Sequence, residues 1–300
     1  LPLTRALPAW AVWAGGSALA AVAIAVPWMT RPPAGAEPPP SFVDERLCTG
    51  CSTCYEDCPY DAIAMVPRAE ADPGRSALVA RVDPALCVSC GICSGSCAPM
   101  GVGPAGRTGR DQLRTVKAFV AKHGIGDDDG RAGESVAVPA TGAAAASLAD
   151  RPAGPVVVVG CDRSAVGPAG EVDGAVVYPV TCAGNLHTSV VEYLVRSGAA
   201  GVFIVACPER DCWSREGPKW LEQRLYHDRE AELQDRVDRR RIRLVNRAAG
   251  EDRELGEQLA AFRADLARLE RTDAEEEIDL VAMCETDEGV AVSVLDREAP

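Results

Sequence analysis

Thirteen cysteines punctuate the 300-residue chain. Cys48, Cys51 and Cys54 follow a C-x-x-C-x-x-C rhythm, with Cys58 and Pro59 behind them. Cys87, Cys90 and Cys93 repeat the rhythm, with Cys97 behind. Cys161, Cys182, Cys207 and Cys212 make a third, wider group, and Cys284 stands apart. Thiols three residues apart in a tight loop can point at one small body, while a fourth must arrive from elsewhere. That is the donor set of a cubane iron–sulfur cluster, and in two-cluster chains the fourth cysteine of each run serves the other cluster. Cys48, Cys51, Cys54 and Cys97 are therefore expected to hold one [4Fe-4S] centre. Cys87, Cys90, Cys93 and Cys58 are expected to hold a second. A disulfide framework fits less well, because such frameworks belong to short secreted chains that lack a core. This chain is long and 47% hydrophobic. Zinc would want four ligands per site without an interlocked pair of runs.

The third group depends on elements that must bring distant residues together. From Pro155 on, short β-branched runs alternate with helical patterns. "PVVVVG", "GAVVYPV", "AGVFIVA" and "RIRLVN" read as strands. "HTSVVEYLVRSG" and a long segment, "EGPKWLEQRLYHDREAELQDRV", read as helices. This alternation predicts an α/β layer with a mainly parallel sheet. Cys161, Cys182 and Cys207 each follow a predicted strand, so they should gather at the carboxyl edge, where ligand sites form. Cys212 lies near the start of the long helix, where the dipole favours thiolate. Four thiolates there suit a [2Fe-2S] cluster or a zinc ion; buried inert cysteines or a redox disulfide are the plainer readings.

Residues 41–104 resemble the bacterial-type ferredoxin module with two [4Fe-4S] clusters. The resemblance rests on eight cysteines at the family spacing, on Pro59 and on "DAIAMV" after the first run. Ala98 departs from it by separating Cys97 from Pro99. It implies an α+β, ferredoxin-like fold. Residues 155 to about 247 resemble the delta subunit of methyl-viologen-reducing hydrogenase. The carriers are "GCDRSA", "VTCAGNLH", "VACPERDCWSREG" and "KWLEQRL". Ser164 stands where many members carry a further cysteine. This second resemblance implies a [2Fe-2S] cluster on Cys161, Cys182, Cys207 and Cys212. It also implies electron transfer beside hydrogenase, heterodisulfide reductase-like or formate dehydrogenase partners.

Five regions follow: 1–40, an anchor and proline-rich spacer; 41–104, the two-cluster module; 105–154, a helix and linker; 155–271, the α/β domain; and 272–300, a C-terminal hairpin. The helix in the third region places Leu113, Val116, Phe119 and Val120 on one face, with Gly124 as its stop. "DRELGEQLAAFRADLARLE" (252–270) is a closing helix. "IDLVAMCETDEGVAVSVL" reads as two strands about a turn, with Cys284 a buried strand-end thiol. His187 reads as a helix cap or surface residue. Trp213 and Trp220 read as core packing, or else as a face over the third site. "RVDRRRIRL" (236–244) reads as a solvated helix end leading into a strand.

Residues 6–30 carry no charge, and Trp10, Trp13 and Trp28 lie near the ends of the run. About 20 apolar residues span a bilayer, and indoles favour its interfaces. Only Arg5 precedes the run, so a retained transmembrane helix is expected over a cleaved signal peptide. The chain opens on Leu1, which leaves open upstream sequence and further spans. Iron–sulfur proteins mature in the cytoplasm, so the clusters are expected on the cytoplasmic side of the inner membrane. A net charge of −13 argues against nucleic acid as a partner. No dinucleotide fingerprint and no nucleophile–base pair is apparent. The chain therefore reads as a membrane-anchored electron-transfer subunit working with redox protein partners. The rival is a thiol/disulfide or sulfur-compound reductase acting through the third group. A zinc-stabilised interaction module is a further alternative.

Overall fold

The computed structural model describes residues 38–69, 75–126, 154–168, 170–172, 174–227 and 229–291, with 273–291 as backbone only. Residues 6–30, read as a membrane span, lie outside the described residues. Among the described residues, no helix is long and apolar enough to cross a membrane.

The two cysteine runs build one pseudo-symmetric unit. Each cysteine of the first run recurs 39 positions later, as Cys48 recurs at Cys87. Two four-residue helices, α1 (Thr53–Glu56) and α2 (Ile92–Gly95), carry Cys54 and Cys93. Each starts from a left-handed residue, Ser52 (φ 72°) or Gly91 (φ 83°). Two further pairs share that conformation: Gly50 with Ser89, and Asp61 with Met100. Non-glycine residues adopt it at a cost. Its return at matched positions means that the loop shape, more than the side chains, is what repeats. Strand β1 (Phe42–Val43) pairs antiparallel with β4 (Val102–Gly103), and β2 (Ile63–Pro67) pairs antiparallel with β3 (Leu78–Val82). This is the expected ferredoxin-like α+β arrangement.

Helix α3 (Gly109–His123) follows. Thr108 and Asp111 close a capping box at its start, and Gly124 ends it at φ 60°. Beyond residue 154 lies the predicted parallel sheet, in the order β6 (Val176–Val180), β5 (Val156–Cys161), β7 (Gly201–Ala206), β8 (Ile242–Asn246). Every residue of the central strands β5 and β7 is buried. This accounts for their continuous apolar runs, since a parallel sheet is covered on both faces. On one face, Val157, Val159 and Ile204 pack with α3, α4 (Thr188–Arg196) and α5 (Gly217–Tyr226). On the other, Val158, Phe203 and Val205 pack with α6 (Asp252–Ala291) through Leu255, Leu259, Phe262 and Leu266. Val116 and Val120 thus place α3 in the sheet's core, although the sequence sets it beside a linker.

Two elements differ from expectation. Helix α5 stops at Tyr226 instead of running on to residue 237. Ala231 turns left-handed (φ 58°), the Leu233 amide bonds back to the Arg224 carbonyl at 2.9 Å, and Leu233 and Val237 fold into the same core as Leu221 and Leu225. Helix α6 runs on to Ala291, over most of the segment expected to be a hairpin, and Cys284 lies on helical backbone; residues 292–300 lie outside the described residues. The Ala, Glu, Leu and Met residues there are good helix formers, so one helix continues where two short strands lack a partner. Phe262 is fully buried, with its ring 5.5 Å from that of Phe203. Phe262→Ala should therefore cost about 3–5 kcal/mol, measured as a drop in the denaturant midpoint of the full chain.

Candidate metal centres

The eight ferredoxin-type cysteines fall into two sets across the two runs. Cys48, Cys51, Cys54 and Cys97 line one cavity. Cys58, Cys87, Cys90 and Cys93 line a second. Each set takes three thiols from one run and the fourth from the other. Backbone amides point at the sulfurs. Ala62 N–H donates to Cys58 Sγ at 3.4 Å, and its counterpart Gly101 N–H donates to Cys97 Sγ at 3.2 Å. Ser41 N–H donates to Cys87 Sγ at 3.3 Å. Burial and neighbouring thiols push Cys54 up to about 12. Burial likewise pushes Cys90 up to about 11, and Cys93 well above the usual thiol range. Thiols raised in this way ionise together only when a cationic body sits among them. Among the described residues, no three His, Cys, Asp or Glu side chains are spaced to hold a single metal ion. The apolar, thiol-lined cavities fit a cluster.

The parallel sheet collects the third group as expected. Cys161 ends β5, Cys182 follows β6 and Cys207 follows β7. Cys212 follows a 3-10 turn (Glu209–Asp211) and precedes α5. Their thiols interact in series: Cys161 with Cys207, Cys207 with Cys212, and Cys212 with Cys182. The Cys182 thiol, then that of Cys207, draws Cys212 down, and the amides of Gly217 and Ser214 add to this. Cys207 draws Cys161 down, while Cys182 and Cys207 themselves are driven up. Negative charge is thus already favoured on two of the four sulfurs. Ser164 turns away from this edge. Its hydroxyl donates to the Cys161 carbonyl at 2.7 Å and accepts from Val166 N–H.

The two-cavity module and the thiol edge share a buried seam that the sequence did not announce. Ile92 lines the second cavity and is fully buried. A Cβ on Gly184 would lie 3.0 Å from Ile92 Cγ1 and would overlap Gly217 Cα. A Cβ on Gly217 would in turn lie 3.0 Å from Cys182 Sγ. Tyr60, on the rim of the second cavity, donates to the Trp213 carbonyl at 3.3 Å. Arg215 stacks 4.4 Å from the Tyr60 ring centroid and donates to Pro59 O at 2.8 Å. After burial, the charges that raise the Tyr60 phenol include those of Cys90, Cys212 and Cys182. Trp213 is itself 75% exposed, so it is a surface residue and not core packing. Elsewhere in the seam, Asn185 donates to Gly91 O at 2.9 Å, and Gln112 donates to Asn185 O at 2.8 Å. His187 caps α4 by accepting from Ser189 N–H, as expected, and its Nε2 lies 3.2 Å from Cys97 O. Unlike a surface histidine it is buried, which lowers its pKa to about 4 and keeps it neutral.

Residues 47–101 match the family model for a 4Fe-4S dicluster domain. The two-run module is thus similar to an iron–sulfur domain. Residues 156–270 match the model for the delta subunit of methyl-viologen-reducing hydrogenase. An iron-sulfur subunit of CoB--CoM heterodisulfide reductase from Methanocaldococcus jannaschii is 40% identical over 75 residues. That stretch covers 21% of this chain and 11% of the relative. The seam gives a direct test of the third site. Gly184→Ala should displace the start of α5, lowering any metal content that depends on the Cys161–Cys212 group while leaving the absorbance of the two-run module in place. Iron analysis with visible spectroscopy of the anaerobic protein reads both.

Proposed function

We propose that the chain is an electron relay with three iron–sulfur sites in one covalent unit. Cys48, Cys51, Cys54 and Cys97 would hold one [4Fe-4S] cluster, and Cys58, Cys87, Cys90 and Cys93 the other. Cys161, Cys182, Cys207 and Cys212 would hold a [2Fe-2S] cluster. Such clusters supply one-electron carriers whose potentials follow charge, hydrogen bonding and exposure. The observation that carries the reading is the seam: Ile92 and Tyr60 line the second cavity, while Ile92 packs by Gly184 next to Cys182 and Tyr60 donates to the carbonyl of Trp213, next to Cys212. The protein's part is to bring its thiols together, donate amides to their sulfurs and close the space between sites with packed side chains. The second cavity then stands next to the thiol edge.

The matches to hydrogenase delta and heterodisulfide reductase subunits support redox protein partners of those kinds, with formate dehydrogenase a third. The apolar run 6–30 and the proline-rich spacer behind it support an anchor in the inner membrane, with the clusters on the cytoplasmic side. The relay would then link a soluble redox enzyme to a membrane or quinone-linked partner. Deleting residues 6–30 should move the protein from the membrane fraction to the soluble one, and retention of the deletion variant on membranes would refute the anchor.

Anaerobic analysis of the full chain should give about ten irons per polypeptide, eight in cubanes and two in a binuclear centre. Cys182→Ser should remove the binuclear EPR signal and leave the cubane signals intact. Eight irons with one zinc would refute the [2Fe-2S] assignment. The gathering of four thiols at one sheet edge also fits a second reading, a thiol/disulfide or sulfur-compound reductase. Free thiols that react at Cys161, Cys182, Cys207 and Cys212 in the folded, iron-loaded protein would favour that reading.

A further inference from the structure

One charged group in the seam is not used by the ligand sets. Arg224 lies on α5 between Leu221 and Leu225 and is fully buried. Its Nη1 donates to Ser96 Oγ at 3.1 Å and pairs with Asp57 Oδ2 at 3.8 Å. Its Nη2 donates to Gly184 O at 2.8 Å, beside Ala183 and Cys182. Its Nε has no hydrogen-bond partner. Asp57 and Ser96 are themselves fully buried, and Ser96 Oγ donates to Asp57 Oδ2 at 2.5 Å. They are the same position in the two runs. Asp57 caps the end of α1 just before Cys58, and Ser96 caps the end of α2 just before Cys97. The guanidinium therefore bridges the ends of α1 and α2, lies against Gly95 of the helix that carries Cys93, and reaches over to the loop of the third site.

We infer that Arg224 is a positioning residue that sets a fixed positive charge between the second cavity and the Cys161–Cys212 site, tying their reduction potentials together. The inference rests on the relay reading. A guanidinium out of water with an unbonded Nε is costly, and buried ion pairs are often replaceable by apolar residues without loss of stability. Its presence on an otherwise apolar helix face is accounted for by what it does to its neighbours. Reduction adds one negative charge to a cluster, and a nearby unscreened cation favours the reduced form. After Asp57, the sulfurs of Cys182 and Cys93 are among the groups whose charge acts most on Arg224, and they belong to different sites. Asp57 offsets part of this charge and is also held by Arg229, which is only partly buried.

The test is an EPR-monitored redox titration of the full chain, with iron and sulfide measured in each sample. Arg224→Met keeps much of the volume and removes the charge. With metal content unchanged, it should lower the midpoint potentials of the second [4Fe-4S] cluster and of the third site together. Arg224→Lys should restore them towards the wild-type values. Potentials unchanged in a fully loaded Arg224→Met protein, or equal shifts in the Met and Lys variants, would overturn the inference. If Arg224→Met does not load, Asp57→Asn keeps the guanidinium and removes its counter-charge. It should then raise the same two potentials, and no rise would be equally fatal. If neither variant loads, Arg224 is a folding residue and the inference fails. Iron content of the wild-type protein tests the relay itself, so the two failures are told apart.

Discussion

Four thiols that converge in a dry cavity repel one another and resist losing their protons. That conflict constrains this chain throughout. It is relieved only by a cationic body among the sulfurs, helped by amides that point at them. The left-handed residues at Gly50, Ser52 and Asp61, and at their counterparts Ser89, Gly91 and Met100, are the backbone's answer. They turn each loop so that sulfurs and N–H groups face inward. The crossing of Cys58 and Cys97 into each other's cavities follows from the same geometry, since a loop with three inward thiols has no room for its own fourth.

The α/β half meets the same constraint by another route. Its cysteines lie far apart in sequence, so no local loop can gather them. A parallel sheet does so because all its strands end at one edge, and β5, β6 and β7 each deliver a thiol there. The buried β-branched strands and the helices on both faces make that edge rigid. Rigidity matters, since electron carriers work best when nothing around them rearranges as charge arrives. Glycines at 184 and 217 let the loop of one strand lie against the start of α5, close to Ile92 of the other module. Among the described residues from Pro39 on, the two modules are packed together and not merely tethered.

The cysteine sets, the strands and the order of elements were legible because each is a local signal. Spacing of three residues, β-branched runs and glycine stops act within a few positions. The helix ends were less legible. The periodicity of α5 continues past Tyr226, but Leu233 and Val237 reach the core only if the chain turns back. The segment containing Cys284 reads as two strands about a turn, yet its Ala, Glu, Leu and Met residues continue the preceding helix as far as Ala291. The seam was the least legible part. Arg224 occupies a position that the helical period assigns to the apolar face, a mismatch visible in "KWLEQRLY", yet Ser96 lies 128 residues away.

By itself the sequence determined which residues can ligate metal, how they divide into sets and what class of fold supplies each set. Those properties rest on residue type and on short-range backbone geometry. Tertiary structure alone decided that the second cavity faces the thiol edge, that Tyr60 and Ile92 fill the space between them, and that a buried guanidinium joins Asp57, Ser96 and Gly184. Such contacts depend on how two modules pack, and no spacing within one run encodes the surface of the other.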